Sequence, residues 1–184
     1  PKKPASGRKS ADLPTAELIA ALDEVRTVLK TASTHQRAFM QEKDRFSPLV
    51  DALGFSERTK YFGLYFDAKG PAFRPAPKAG RPGPKDVAVL PPDAARAPST
   101  FAATRCPVTP VAAFDPRGKP SITTVGVTKG IPFAFIIAAA ANLDGDGQYE
   151  CWSIASHDRL DPDADIIPAF TPYREQGDVD VSAR

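Results

Sequence analysis

Between Thr15 and Lys43 the chain carries neither proline nor glycine, and Leu18, Leu22, Val25, Leu29, Ala32 and Phe39 recur at spacings of 3, 4 or 7. That recurrence puts one apolar stripe on an amphipathic helix of about 28 residues, ~42 Å long at the usual rise. Val28 and Met40 widen the stripe at its edge. Asp12 or Thr15 is available as an N-cap, and Pro14 is tolerated in a first turn. A helix of this length predicts a spine with a sheet packed along one side. It has more length than one sheet covers, so Leu18 and Leu22 are expected to lie partly exposed and to form a docking surface.

The periodicity then changes. Residues 46–56 read as a loop with one helical turn ending at Gly54. Phe62, Leu64 and Phe66 alternate with Tyr61, Gly63 and Tyr65, a period of two that predicts a strand. Val87–Leu90 and Val108–Phe114 are short apolar pieces suited to edge strands, and Ile122–Thr128 to a short strand or turn. Phe133–Ala141 is a continuous apolar run, which fits a buried strand better than a helix. Asn142–Gly147 is a turn. In Gln148–Ser156, Tyr149, Cys151, Ser153 and Ala155 share one face, and Glu150, Trp152 and Ile154 the other. Residues 133–156 thus predict an antiparallel hairpin with an acidic loop. Beyond His157, Pro162, Pro168 and Pro172 predict a mostly irregular tail packed by Ile166, Ile167 and Phe170. No internal repeat is present.

The chain has 184 residues, enough for one domain and too few for two well-cored ones. Residues 1–14 read as a flexible basic lead-in and 15–184 as the domain, its helix at 15–43. Of 20 prolines, 12 fall between Pro71 and Pro120, so 70–120 is predicted to be a long Pro-rich loop region. That region holds eight basic and three acidic residues and is therefore positive. The whole chain has a net charge of only +2, which argues against a nucleic-acid partner needing a basic face. No apolar stretch is long enough to span a bilayer. The chain starts at Pro1 without an initiator Met, so a processed form is expected, from which a targeting segment can have been removed.

Candidate chemistry is sparse. No nucleophile elbow, phosphate-cradling glycine loop, HExxH or CxxC occurs, and no catalytic residue is predicted. His35 lies one step off the helix stripe, where a flank position is expected. His157 beside Asp158 offers an acid–base couple, for which a solvated strand end is the default. Cys106 and Cys151 are too few for a thiolate zinc site. They fit one disulfide in an exported protein, or two buried thiols otherwise. Asn142, Asp144 and Asp146 stand at i, i+2 and i+4 before Gly147, like the first half of a calcium loop. Gln148 would add its carbonyl and Glu150 a carboxylate. Ser153 stands where such a loop needs a bidentate glutamate, so weak calcium binding competes with a plain turn. No other cofactor is expected.

Two phrases carry a resemblance. VLKTASTHQRAFMQEKDRFSPLVDALGFSERTKYF (Val28–Phe62) is similar to the end of the long helix and the helix-to-sheet crossover of type IVa pilins of Gram-negative bacteria with large globular domains. The corresponding features are Leu29–Lys30, Phe39, Glu42–Ser47 and Gly54–Arg58. GVTKGIPFAFIIAAAANLDGDGQYECWSI (Gly126–Ile154) resembles the late hairpin of that family, through Asn142, Asp144, Asp146, Trp152 and Ile154. The resemblance implies an α+β fold: a long N-terminal helix packed on an antiparallel sheet of about four strands. It implies export to the cell surface, an extracellular filament or the periplasm, and a Cys106–Cys151 disulfide. The implied role is a non-enzymatic structural subunit of a type IV pilus or related envelope filament. Its partners would be other pilin subunits, met at Leu18 and Leu22, and the pilus assembly machinery. The alternatives are a minor pilin or pseudopilin that primes or tips a filament, and a soluble or separately anchored binding protein reusing the domain. The family's apolar N-terminal anchor has no counterpart in residues 1–14. Membrane contact is therefore expected only through a segment outside this chain, or the domain is attached differently.

Overall fold

A computed structural model describes residues 13–69, 87–93, 105–111, 122–131 and 133–177. Most of the basic lead-in and much of the 70–120 region lie outside the described residues.

Helix α1 spans Thr15–Lys43. Pro14 occupies the N-cap with no side-chain cap hydrogen bond, and Thr15 is already helical. A proline there forfeits no helical bond, since the first amides of a helix lack intrahelical partners anyway. The C-cap is Asp44, left-handed at φ 53°, whose amide donates to the Met40 carbonyl. The buried helix face runs through Leu18, Leu22, Val25, Leu29, Ala32 and Gln36, one residue per turn. It packs on the central strands β4 (Phe135–Ala141) and β5 (Glu150–Ala155).

Around these lie β1 (Gly63–Tyr65), β2 (Val89–Leu90), β3 (Gly126–Val127) and β8 (Tyr173–Gln176). Together they form a six-stranded antiparallel sheet ordered β2-β1-β4-β5-β8, with β3 also paired to β4. The α+β arrangement of a long helix on an antiparallel sheet is the one expected, with two short edge strands beyond the four anticipated. A two-stranded unit, β6 (Arg159–Leu160) with β7 (Ile166–Ile167), follows β5. Of residues 157–177, eight lie in strands, so the tail is mostly irregular as expected, though it contributes β6, β7 and β8. Its strand β8 (YREQ) lacks apolar alternation because its charged side chains are held by ion pairs.

Every residue of β4 is buried, because both faces of the sheet are covered. Phe135, Ile137, Ala139 and Ala141 join the helix, Phe62, Leu64, Trp152 and Ile154 in one core. Ile136, Ala138 and Ala140 join Tyr65, Val89, Cys106, Val111, Ile122 and Cys151 in a second core on the opposite face. Burial of Tyr65 there pushes its phenol pKa upward. The single bridge Val111↔Ile122 brings the end of the proline-rich stretch onto that second face. In the tail, Ile167 is buried and Phe170 packs on the helix-side core, but Ile166, expected to pack, is 69% exposed. Pairing with β6 turns alternate residues outward, and Ile166 takes the outward position.

The crossover from helix to sheet is fixed by one buried amide. Gln36 Nε2 donates to the Ser47 carbonyl at 2.6 Å, and the Ser47 amide returns a bond to Gln36 Oε1 at 3.1 Å. The chain then makes a turn closing at Gly54, whose φ of 62° suits glycine. Gln36→Ala leaves both Ser47 groups unpaired in a buried site and should cost ~1–3 kcal/mol. Urea unfolding of the parent and variant checks this; a loss within error would show that the crossover is held elsewhere.

Candidate functional site

The helix end expected to dock is covered within the chain. Leu18 and Leu22 are only 8% and 6% exposed, which corrects the expectation of partial exposure. They belong to the helix-side core, and the segment entering β1 lies along the adjoining helix face, beside Glu17, Ala20, Ala21 and Glu24. Glu17 accepts hydrogen bonds from Lys60 Nζ and the Tyr61 hydroxyl, and Glu24 Oε2 accepts from the Lys60 amide at 3.1 Å. The bond to Glu17 holds the Lys60 ammonium pKa above its ordinary value. The large apolar side chain this helix end does expose is Ile19, at 49%.

Cys106 and Cys151 are joined in a disulfide, with Cα atoms 5.6 Å apart. Cys151 lies in the middle of the sheet and Cys106 on the segment covering its second face, so the bond ties that cover to the central hairpin. Of the two readings left open by the cysteines, the paired one is observed.

The acidic loop is a turn stapled by its own side chains. Asn142 Oδ1 accepts from the Gly145 amide at 2.6 Å, Asp144 Oδ1 from Asp146 at 3.0 Å, and Asp146 Oδ1 from Gln148 at 2.7 Å. Gln148 Nε2 also donates to Asp146 Oδ2 at 3.1 Å. Glu150, which would complete a cation shell, is fully buried and turned away to Trp152 and Arg174. Among the described residues no group of three or more His, Cys, Asp or Glu side chains is placed to hold a metal. The loop oxygens already serve backbone amides, so the expected melting temperature in millimolar calcium equals that in chelator. A rise with calcium that Asp144→Asn abolishes would instead mark a cation site.

Two ionic groups that the sequence did not announce support β5 and β8. Glu150 takes a bidentate pair from Arg174, Nε to Oε1 at 2.7 Å and Nη2 to Oε2 at 2.8 Å, plus Trp152 Nε1 at 2.7 Å. Arg159 Nη1 reaches Glu175 Oε1 at 2.8 Å, Ser153 Oγ at 2.8 Å and the Thr109 carbonyl at 3.3 Å. Glu175 also accepts from Thr109 Oγ1 at 2.7 Å and from Ser153 Oγ. Burial lowers the Arg159 pKa, and Glu175 opposes that shift. The available signal for the first group was the placement of Glu150 on the same strand face as Trp152 and Ile154. A carboxylate on a core-facing position needs a cation, and Arg174 supplies it.

Both histidines make contacts within the chain. His35 Nδ1 lies 2.9 Å from the Leu53 carbonyl with its ring edge-on to Phe55. His157 Nδ1 lies 2.8 Å from Ser156 Oγ, while Asp158 Oδ1 accepts from the Ala169 amide, so that pair is not brought together as an acid–base couple. Beside β6 and β8 lies an open cavity of about 350 Å³, lined by Val108, Pro110, Leu160, Pro162 and Tyr173, with Asp161 at its edge. No helix among the described residues is long and apolar enough to cross a membrane.

No protein-family model matches the chain. A curated protein does align with it. The chain is 30% identical over 176 residues to the type IV major pilin protein PilA of Myxococcus xanthus (strain DK1622), an alignment covering 85% of this chain and 76% of that protein.

Proposed function

This chain belongs to the type IV pilin family, and we propose that it is the major, repeating subunit of a type IVa pilus displayed outside the cell. The observation that carries the reading is the extent of the alignment with a major pilin, 85% of the chain rather than one motif. The architecture supports it: a 29-residue helix is fixed along an antiparallel sheet. The helix keeps a mostly polar outer face for neighbours, where Ile19, Asp23, Lys30 and Thr34 are exposed, while Arg26 and Arg37 stack over Trp152 and Phe170 at its flank. A subunit of this kind works by rigid packing, and its two cores, disulfide and buried ion pairs supply that rigidity. Its partners are further pilin subunits and the assembly machinery, and its role is structural rather than catalytic.

The test is quantitative mass spectrometry of filaments sheared from producing cells, with and without deletion of the gene. A major subunit should dominate the filament mass, and its deletion should remove the filaments. A substoichiometric chain would assign it to the minor pilins. Filaments that lack the chain and survive its deletion would assign it to a separately anchored binding protein.

A further inference from the structure

Four large apolar side chains stand exposed among the described residues: Ile19, Ile131, Leu160 and Ile166. Two of them, 61% and 69% exposed, are Leu160 and Ile166, directly opposite each other on β6 and β7. Leu160 also borders the 350 Å³ cavity. The polar groups of that cavity are engaged within the chain. The Tyr173 hydroxyl bonds to Asp161, and Glu175 accepts from Thr109, Ser153 and Arg159. What the cavity offers an occupant is chiefly prolines, Val108, Leu160 and the Tyr173 ring. Its rim is acidic. Asp161, Asp163 and Asp165 occupy the turn from β6 to β7, curled by bonds from the amides of Asp163 and Asp165 to Asp161 Oδ1 at 2.9 Å. None of these three carboxylates forms an ion pair among the described residues.

The complementary feature lies on the connection between β3 and β4. Ile131 is 88% exposed there, and exposed Lys129 precedes it by two residues. An apolar knob beside a cation thus complements, in chemical character and charge, an apolar socket next to an acidic turn. The two features belong to opposite edges of the sheet. β3 pairs with the side of β4 away from β5, whereas the cavity adjoins β8, beyond β5. One copy cannot join its own knob to its own socket. Distinct patches that fit each other give heterologous, head-to-tail contacts, which extend as open chains rather than closing as dimers.

We infer that the Lys129–Gly130–Ile131 tip of one copy docks into the Val108–Tyr173 cavity of the next, Ile131 against the apolar floor and Lys129 against Asp163 and Asp165. The inference rests on the filament reading above and names which surfaces of two copies meet.

The test places Ile131→Cys and Leu160→Cys together in the chain of producing cells, oxidises their filaments and separates the sheared material without reductant. The expected result is a ladder of dimers, trimers and higher multiples, absent from either single variant. Filaments that contain the chain but give no ladder overturn the inference and leave the filament reading standing. Absence of the chain from filaments overturns both. Cross-linking to a protein of another mass, or to dimers alone, also overturns the inference. Should the double variant not assemble, charge reversal decides. Lys129→Glu should lose filament yield with its own melting temperature unchanged, and adding Asp163→Lys and Asp165→Lys should restore the yield. No loss, or a loss without restoration, overturns the contact.

Discussion

Arg159→Met should destabilise the fold by ~3–5 kcal/mol, the range for removing one partner of a buried ion pair. The Arg159 and Glu175 side chains are only 1% and 4% exposed. Taking away the guanidinium leaves the Glu175 carboxylate buried without its cation, and the Thr109 carbonyl and Ser153 Oγ lose a donor. The pair is itself costly to bury: Arg159 Nη2 has no hydrogen-bond partner among the described residues. The double variant Arg159→Met with Glu175→Leu should therefore recover much of the loss, because it removes the stranded charge along with the pair. Urea denaturation of the parent, both single variants and the double gives the coupling directly. A single-variant loss below about 1 kcal/mol, the worth of an exposed pair, would refute the description of this pair as a structural anchor of β8.

The parts of the fold that the sequence announces are those whose burial is written as a period. Leu18, Leu22, Val25, Leu29 and Ala32 fall on one buried helix face, and the alternation in Gln148–Ser156 correctly separates Trp152 and Ile154 from Cys151 and Ala155. Where both faces are buried, alternation vanishes, and the uninterrupted run Phe133–Ala141 is the expected trace of such a strand. β8 leaves no such trace. Tyr173–Gln176 is polar throughout, and its place in the sheet depends on Arg174 and Glu175 meeting Glu150 and Arg159, partners 16 and 24 residues away. No local pattern encodes a pairing of that kind.

Burial at the helix start leaves no local trace either. Leu18 and Leu22 are buried in the helix-side core, and on the adjoining face Lys60 and Tyr61 of the approach to β1 bind Glu17. A charged residue in the first helical turn signals a favourable helix dipole and nothing about its distant partners. The acidic loop shows the converse: Asn142, Asp144 and Asp146 are spaced as cation ligands, and the same spacing satisfies the amides of Gly145, Asp146 and Gln148. Side-chain type and spacing do not distinguish the two uses, because both need an oxygen folded toward the loop interior.

Replacing both cysteines, Cys106→Ala with Cys151→Ala, should remove ~4 kcal/mol of stability. The sequence separation of 45 sets the loop that the bond closes in the unfolded chain, and the chain-entropy model gives that magnitude for it. At about 2–4 °C per kcal/mol for a chain of this size, the melting temperature should fall by roughly 10 °C. The loss should also be uneven. The helix-side core contains neither cysteine, whereas the second core contains both, together with Val111, Ile122 and Val125. Among the described residues, the strand pairings of its cover are the bridge from Val111 to Ile122 and the two-residue β3. Hydrogen exchange should therefore quicken first at the amides of Val111 and Thr128, which donate to Ile122 and Ala134, before those of Val25 and Leu29 in the helix. Equal loss of protection in helix and cover would show that the disulfide acts on the fold as a whole. An unchanged melting temperature would show that the second core holds its cover without the bond.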